Sequence, residues 1–534
     1  MKEWQDQFRV PTATLLAIIL FGLTASAAAQ HTYYISKSLG SDSNTATQAQ
    51  SKTTPWAHLP GMPSCSSKCA SYTPVAGDSF ILYGGDTWGV SDLGVNWQWS
   101  GNSASTIYVG VDQTWYGSSC GSSFCRPVFN CAGAACSANN NDYFNVNASY
   151  VTFDNIEMTG LYKNDSNFGP DCYFFVNGTY IEVEHMYFHG WTLGTSGSNG
   201  GFAAWYGYSG GSPLTGTQLH DNVFDGNDTA KNSLYGVWGG VEQLYNNYFR
   251  YLVADIVGLV NIMHDNTGEY MVLSASGDHC NLFFAEGTLS GTTLLAYNNL
   301  ARNTNNSQSW GCGGGVHFYL FGYTTSNQNY AAYYFNNIGV NLYPANLIDP
   351  GSSMGSGPWG TYYVFNNTFE CGNDSSTAAC IAGPGSQTMT LQVHSQNNHY
   401  ITSTSPACVS QYGQTCTETT DLTESVSTAK GYGYTSSETY AFSPTSSSSP
   451  TVGQGTNQSS LCSTIAVANS AAGTACQSDT TYGVGYNTSN NTVITPQRTT
   501  NTRPSTGAWD IGAYEETASG SSPNPPTGLT AIVQ

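Results

Sequence analysis

The sequence predicts an all-β solenoid, in which short strands wind into stacked coils. Two observations carry that expectation. From about residue 140 to 400 one phrase returns: an apolar strand, usually one or two Asn, then a second short apolar strand. The composition also suits strands and turns. Charged residues are 9% against a usual ~25%, aromatics are 13%, and there are 59 Gly among 534 residues.

The copies of the phrase are VTFDNIEM (151–158), IEVEHMYF (181–188), TQLHDNVF (217–224), VEQLYNNYF (241–249), NIMHDN (261–266), LLAYNNL (294–300), AYYFNNI (332–338), YYVFNNTF (362–369) and LQVHSQNNHY (391–400). Only the second lacks the Asn, and His185 stands near its place. From the third copy on, the last Asn of each is Asn222, Asn247, Asn266, Asn299, Asn337, Asn367 and Asn398, at gaps of 25, 19, 33, 38, 30 and 31. Periods of roughly 20–50 residues are a solenoid signature. The strands alternate apolar and polar, as half-buried strands do. Asn suits the bend because it tolerates left-handed backbone and bonds its own main chain. Stacked coil on coil, such side chains form a hydrogen-bonded ladder.

Composition excludes other classes. A coiled coil needs Ala, Glu, Lys, Leu and Arg in bulk. A disordered chain is poor in aromatics. With 13 Lys+Arg against 34 Asp+Glu, a net charge of -21 repels phosphate, so nucleic acid is not an expected partner. The run Leu15–Leu23 followed by Thr24–Ala29 reads as a signal peptide cut near Ala29. Nine strongly apolar residues are too few for the ~20 of a membrane span, and no later segment approaches one. The mature chain is expected to be secreted, extracellular or at the cell surface. Twelve of the 15 Cys fall in close pairs: Cys65/Cys69, Cys120/Cys125, Cys131/Cys136, Cys371/Cys380, Cys408/Cys416 and Cys462/Cys476. In an oxidising compartment these read as local disulfides, leaving Cys172, Cys280 and Cys312 without a close partner.

Some copies carry an earlier strand, as in YFNVNASYVTFDNIEMTG (143–160) and CYFFVNGTYIEVEHMYFHG (172–190), giving three strands per coil. The chain thereby resembles the right-handed parallel β-helix proteins of the pectate-lyase-like superfamily. HTYYISKSLGSDSN (31–44), PWAHL (55–59) and GDSFILYGGDTW (77–88) are similar to the opening coils of secreted members, and RPSTGAWDIGAYEE (503–516) resembles their closing coil. The expected organisation is a signal peptide at 1–29 and N-terminal coils with a disulfide-stapled cap at 30–140. Regular coils follow at 141–410, then C-terminal coils and a closing segment at 411–516. A Pro/Ser/Gly linker tail occupies 517–534.

The resemblance implies a substrate groove along the first strand of each coil, walled by the variable connections. Those connections are expected at 160–171, 189–213, 226–234, 250–253, 267–288 and 301–316. The first strands are expected to begin near Cys172, Tyr235, Ala254 and His317. Lys163, Lys231, Arg250 and Arg302 are the only basic residues between 127 and 429, and all fall in or beside these connections. A polysaccharide lyase needs a base and a cation, Ca²⁺ or Arg/Lys, to neutralise the uronate carboxylate. Lys231 as base with Arg250 as neutraliser fits, their 19-residue separation being about one coil. A glycoside hydrolase needs two carboxyls ~5–9.5 Å apart, for which Asp255 with Asp278 or Asp228 serves. His279 completes the catalytic candidates. The expected sugar-stacking residues are Trp191, Trp205, Tyr206 and Trp238. His185, His220 and His264, at or just before the bend, are expected to be outward structural groups rather than metal ligands.

Three functions fit: a carbohydrate-active enzyme, either lyase or hydrolase, a non-catalytic glycan-binding or adhesin-like protein, and a structural surface protein. The partner in the first two is an extracellular polysaccharide or surface glycan. A polyuronate would need a basic groove or bound Ca²⁺, whereas a neutral glycan needs neither.

Overall fold

The computed structural model describes residues 30–133, 142–163, 171–193, 202–208, 213–226, 235–252, 254–258, 260–271, 281–286, 293–303, 316–322, 330–342, 345–349, 357–371, 379–383, 389–404 and 406–516. Three sheets of parallel strands run the length of the molecule, with nine, thirteen and twelve strands among the described residues. From Val95 to Glu370 each coil contributes one strand to each sheet in turn. One coil, for example, runs through Asp171–Val176 in the first sheet, Ile181–Glu184 in the second and Tyr187–His189 in the third. This is a right-handed parallel β-helix, the hand that parallel crossovers take.

The first-sheet strands Asp171–Val176, Tyr235–Gly239, Ala254–Val257 and Val316–Gly322 start where the sequence pattern put them. Two more, Phe202–Gly207 and Asn281–Glu286, fall inside stretches expected to be variable connection. Inside the coils the alternating apolar residues form one continuous core, with Phe144, Phe174, Trp205, Val237 and Ile256 among its members.

Two residues divide the work at the bend between second and third sheets. The first takes the left-handed conformation: Asn155, His185, Asp221, Asn246, Asp265, Asn298, Asn336, Asn366 and Asn397 have φ between 53° and 58°. The residue after it points inward. From the third copy of the phrase this is the ladder Asn, so backbone tolerance belongs to its predecessor rather than to the ladder Asn itself. The Nδ2 of Asn222 donates to Asn247 Oδ1 at 3.0 Å, and the pattern continues through Asn266, Asn299, Asn337, Asn367 and Asn398 at 2.9–3.1 Å. The second Nδ2 hydrogen goes to a main-chain carbonyl, as from Asn222 to Val183 and from Asn247 to Leu219. Each buried amide is thereby satisfied.

After the last third-sheet strand, Leu422–Glu424, the chain turns back along the outside of the coils. The left-handed residues hold it there. Asn336 Nδ2 donates to the carbonyls of Ala475 and Ser478, Asn366 to those of Asp510 and Gly512, and Asn397 to that of Thr456. Helices Ser459–Ala468 and Ser470–Cys476 cover the outer second sheet at Leu295, Tyr297, Tyr333 and Phe365. Val484, Tyr486 and Val493 cover the third sheet at Tyr187, Val223 and Tyr248.

Cys65–Cys69, Cys120–Cys125, Cys371–Cys380, Cys408–Cys416 and Cys462–Cys476 are disulfides. Cys131 is also disulfide-bonded, while Cys136, Cys280 and Cys312 lie outside the described residues. Cys172 is a free, buried thiol. No described helix is long and apolar enough to cross a membrane. The signal-peptide segment and the linker tail lie outside the described residues.

Asp421 ends the ladder, its Oδ1 accepting from Asn398 Nδ2 at 3.0 Å and from the Asn398 N–H at 2.7 Å. Burial disfavours its charged form and pushes its pKa up to about 7. Because the folded value lies above the ordinary one, the native state holds a proton that the unfolded chain gives up. This stability is present below about pH 4 and is lost as pH rises through about 7. Asp421→Asn keeps the acceptor and removes the charge. In urea titrations the variant should match the parent near pH 4 and exceed it by roughly 1–3 kcal/mol at pH 8. A difference independent of pH would contradict the assignment.

Candidate functional site

The described C-terminal segment packs on the second and third sheets, and the first sheet carries a different surface. One residue per coil lines up across it in strand register, running Asn96, Asn145, Phe175, Tyr206 and Trp238. All five are half-buried or exposed. Phe175 and Tyr206 lie with ring centroids 5.6 Å apart and planes at 24°, and Tyr206 and Trp238 at 6.4 Å and 9°. Tyr235 sets its edge against Trp238 at 4.7 Å. Tyr208, 58% exposed, tilts over the Phe175 end. Beside it the exposed amides of Asn147 and Asn177 follow one another coil to coil. Alternation creates this strip: Trp205 and Val237, one position earlier, point into the core, so Tyr206 and Trp238 point out.

Tyr206 and Trp238 are thus brought together on the outer face. Trp205 and Trp191 are not. Trp205 is 1% exposed because the stretch read as a loop is a first-sheet strand, and Trp191 is buried in the same core. Neither side chain is available to stack on an external sugar.

Arg250 requires a second correction. It lies on the third sheet, in the strand Tyr248–Arg250. At that strand position successive coils carry His189, Asp225, Arg250, Glu269 and Arg302, a row in which the acids alternate with the bases. Arg250 donates to Asp225 at 2.6 Å and Arg302 to Glu269 at 2.8 Å. Tyr486 of the C-terminal segment covers Arg250, its ring 4.5 Å from the guanidinium carbon. Burial works against the Arg250 charge, but the Asp225 carboxylate outweighs it and raises the pKa. These two guanidinium groups are paired within the third sheet and do not face the first. Lys231, Asp278 and His279 lie outside the described residues, and Asp255 is placed only as a member of the first-sheet strand Ala254–Val257.

A buried polar cluster at the start of the first sheet was not legible as a unit. Lys163 Nζ donates to Asp171 Oδ2 at 2.6 Å, and the Cys172 thiol to Asp142 Oδ1 at 3.1 Å. Burial raises the Asp142 carboxyl to about 7 and the Cys172 thiol well above its ordinary value. The spacing of Asp142 and Cys172, one coil apart, was the only sequence signal. Among the described residues, two groups with metal-ligand geometry lie elsewhere, on the outer second sheet: Asp154, Glu184 and His185, and Glu182, Glu184 and His220. Both sets include a ring nitrogen, unlike the all-oxygen shell that Ca²⁺ prefers. In a third grouping, Cys408, Cys416 and Glu418, the two cysteines form a disulfide.

No protein family matches the chain, and no curated protein matches it in sequence. Solved structures similar to it include a GH136 lacto-N-biosidase from Eubacterium ramulus. That match has 11% identity, a TM-score of 0.44, and covers 74% of this chain and 68% of that one. The pectate lyase Pel9A is 14% identical with a TM-score of 0.42, covering 92% and 97%. A rhamnogalacturonan lyase is 11% identical with a TM-score of 0.36, covering 73% and 87%. These are distant likenesses, and they assign no chemistry to this chain.

Removing Arg250 should therefore act on stability rather than on ligand. Arg250→Met removes the guanidinium that donates to the Asp225 carboxylate, which is 1% exposed. The expected cost is roughly 2–4 kcal/mol in urea denaturation, partly recovered by adding Asp225→Asn. Glycan affinity of the folded variant should equal that of the parent, and a selective loss of affinity would restore Arg250 to the site.

Proposed function

We propose that the protein is a secreted β-helix that binds an extracellular polysaccharide along the outer face of its first sheet. The observation that carries this reading is the strip Phe175–Tyr206–Trp238, one aromatic residue per coil, with Tyr208 and the amides of Asn145, Asn147 and Asn177 beside it. Aromatic rings meet the apolar C–H faces of sugars, and amides meet their hydroxyls. The strand-to-strand spacing, about 4.8 Å, is close to the length of one sugar unit in an extended chain. A strip spanning several coils therefore suits a polymer better than a single sugar. The net charge of -21 favours a neutral glycan over a polyuronate. In this reading the protein presents a rigid, preformed ledge, so little conformational entropy is lost on binding.

A catalytic reading, as a polysaccharide lyase or glycoside hydrolase, draws support from Asp142. Burial, which leaves Asp142 5% exposed, raises its carboxyl to about 7, and strongly shifted groups gather at functional sites. The two readings separate on product formation.

The test is affinity electrophoresis and calorimetry of the purified protein against a panel of neutral and acidic polysaccharides. Ultraviolet absorbance for unsaturated products and a reducing-end assay run alongside. Binding to a neutral polymer is expected, weakened roughly tenfold by Tyr206→Ala and again by Trp238→Ala. Phe369→Leu, a core change far from the strip, should leave affinity unchanged. If both strip variants bind like the parent, the site is wrong. Steady release of products would make the protein an enzyme.

A further inference from the structure

The outer face of the second sheet carries a group of side chains that glycan binding does not use. Glu182 and Glu184 stand at alternate positions of the strand Ile181–Glu184, so both carboxylates leave the same face. The next strand, Gln218–His220, pairs with it in the register Glu182↔Gln218 and Glu184↔His220. His220 Nε2 therefore lies 3.1 Å from Glu182 Oε1 and 3.8 Å from Glu184 Oε2. We propose that Glu182, Glu184 and His220 bind one divalent transition ion of the Zn²⁺ class and so tie two successive coils together.

Three features argue for a ligand set rather than a chance cluster. The first is spacing. Zinc bonds to nitrogen and carboxylate oxygen run about 2.0–2.2 Å, which sets tetrahedral ligand–ligand edges near 3.4 Å. The two observed separations straddle that value, so small side-chain rotations bring the three atoms around one ion. The second is the outer shell. Metal-binding His residues characteristically give the other ring nitrogen to a carboxylate, which fixes ring and tautomer. Here His220 Nδ1 lies 2.8 Å from Asp221 Oδ2, and the ring stacks on Tyr245 at 4.5 Å and 7°. Thr152 Oγ1 likewise donates to the other oxygen of Glu182, Oε2, at 2.9 Å. The third is Glu184 itself. Its carboxylate makes no hydrogen bond among the described residues, its near neighbours being His185 Nδ1 at 3.4 Å and His220 Nε2 at 3.8 Å.

The position gives the ion a structural role. Met186 occupies the ladder place of the coil that holds Glu182 and Glu184, and the ladder proper begins only at Asn222. An ion outside the bend would join these coils where the amide-to-amide ladder is missing inside. Binding displaces the proton on His220 Nε2 into solvent, while Asp221 keeps Nδ1 protonated. Glu182 and Glu184 side chains are partly exposed, so ions can reach the site and water can fill the remaining coordination position.

The test is equilibrium dialysis of the chelator-treated, disulfide-intact chain against Zn²⁺, with metal analysis and a thermal melt. The expected result is one tightly held Zn²⁺ per chain and a higher melting temperature in its presence. Glu184→Gln and His220→Gln should each lose that equivalent and the shift, while His185→Ala keeps both. Glu184→Gln removes no hydrogen bond, so its fold, checked by circular dichroism, should survive and decide the matter if the His220 variant does not fold. The proposal fails if the parent holds well under one equivalent, if Glu184→Gln binds like the parent, or if Ca²⁺ is held in preference to Zn²⁺.

Discussion

The rest of the structure depends on the buried Asn ladder. An amide inside a dry bend must satisfy two donors and an acceptor. Here it does so only when the coil before and the coil after supply partners at matching height. That requirement fixes the bend between second and third sheets in every coil from Asn222 to Asn398. Variation in coil length, from 19 to 38 residues between ladder Asn, is therefore absorbed elsewhere. The tightest spacing, Asn247 to Asn266, leaves only a short connection between Arg250 and the strand Ala254–Val257.

The paired Asn residues extend the same constraint outward. In the copies with two, the second makes the ladder and the first takes the left-handed turn with its amide directed out of the coil. Asn336, Asn366 and Asn397 use those outward amides to hold the returning C-terminal segment. Arg503, fully buried, completes the junction by bonding Glu515 and Asn336. Covering the second and third sheets hides apolar rows that would otherwise meet water. The aromatic strip of the first sheet remains as the surface on which the proposed glycan lies.

The sequence made the coils legible because their determinants are local and repeated. The ladder positions follow from the recurring phrase and the five described disulfides from cysteine spacing, while four of the nine first-sheet strands start where the family resemblance put them. What stayed hidden depends on long-range contact. Nothing near Arg250 announces that Tyr486, over two hundred residues later, will cover it. The alternation of Asp225, Arg250, Glu269 and Arg302 emerges only when coils of unequal length are stacked in register. Trp205 was misread for a related reason: Ala, Trp, Tyr and Gly in FAAWYG do not distinguish a short strand from an aromatic loop, and strand parity alone decides which ring faces out. Tyr206 and Trp238 fell on the outward side of that parity. The histidines at the bend were read as structural, and only the positions of Glu182, Glu184 and Asp221 around His220 suggest a metal ligand.

Hydrogen–deuterium exchange with and without a bound neutral polysaccharide tests the central claim most directly, because it maps the ligand without altering a residue. The account predicts added protection in the first-sheet strands Asp171–Val176, Phe202–Gly207 and Tyr235–Gly239, with Ile181–Glu184, Gln218–His220 and Tyr248–Arg250 unchanged. Protection concentrated on the second or third sheet, with the first unaffected, would contradict it.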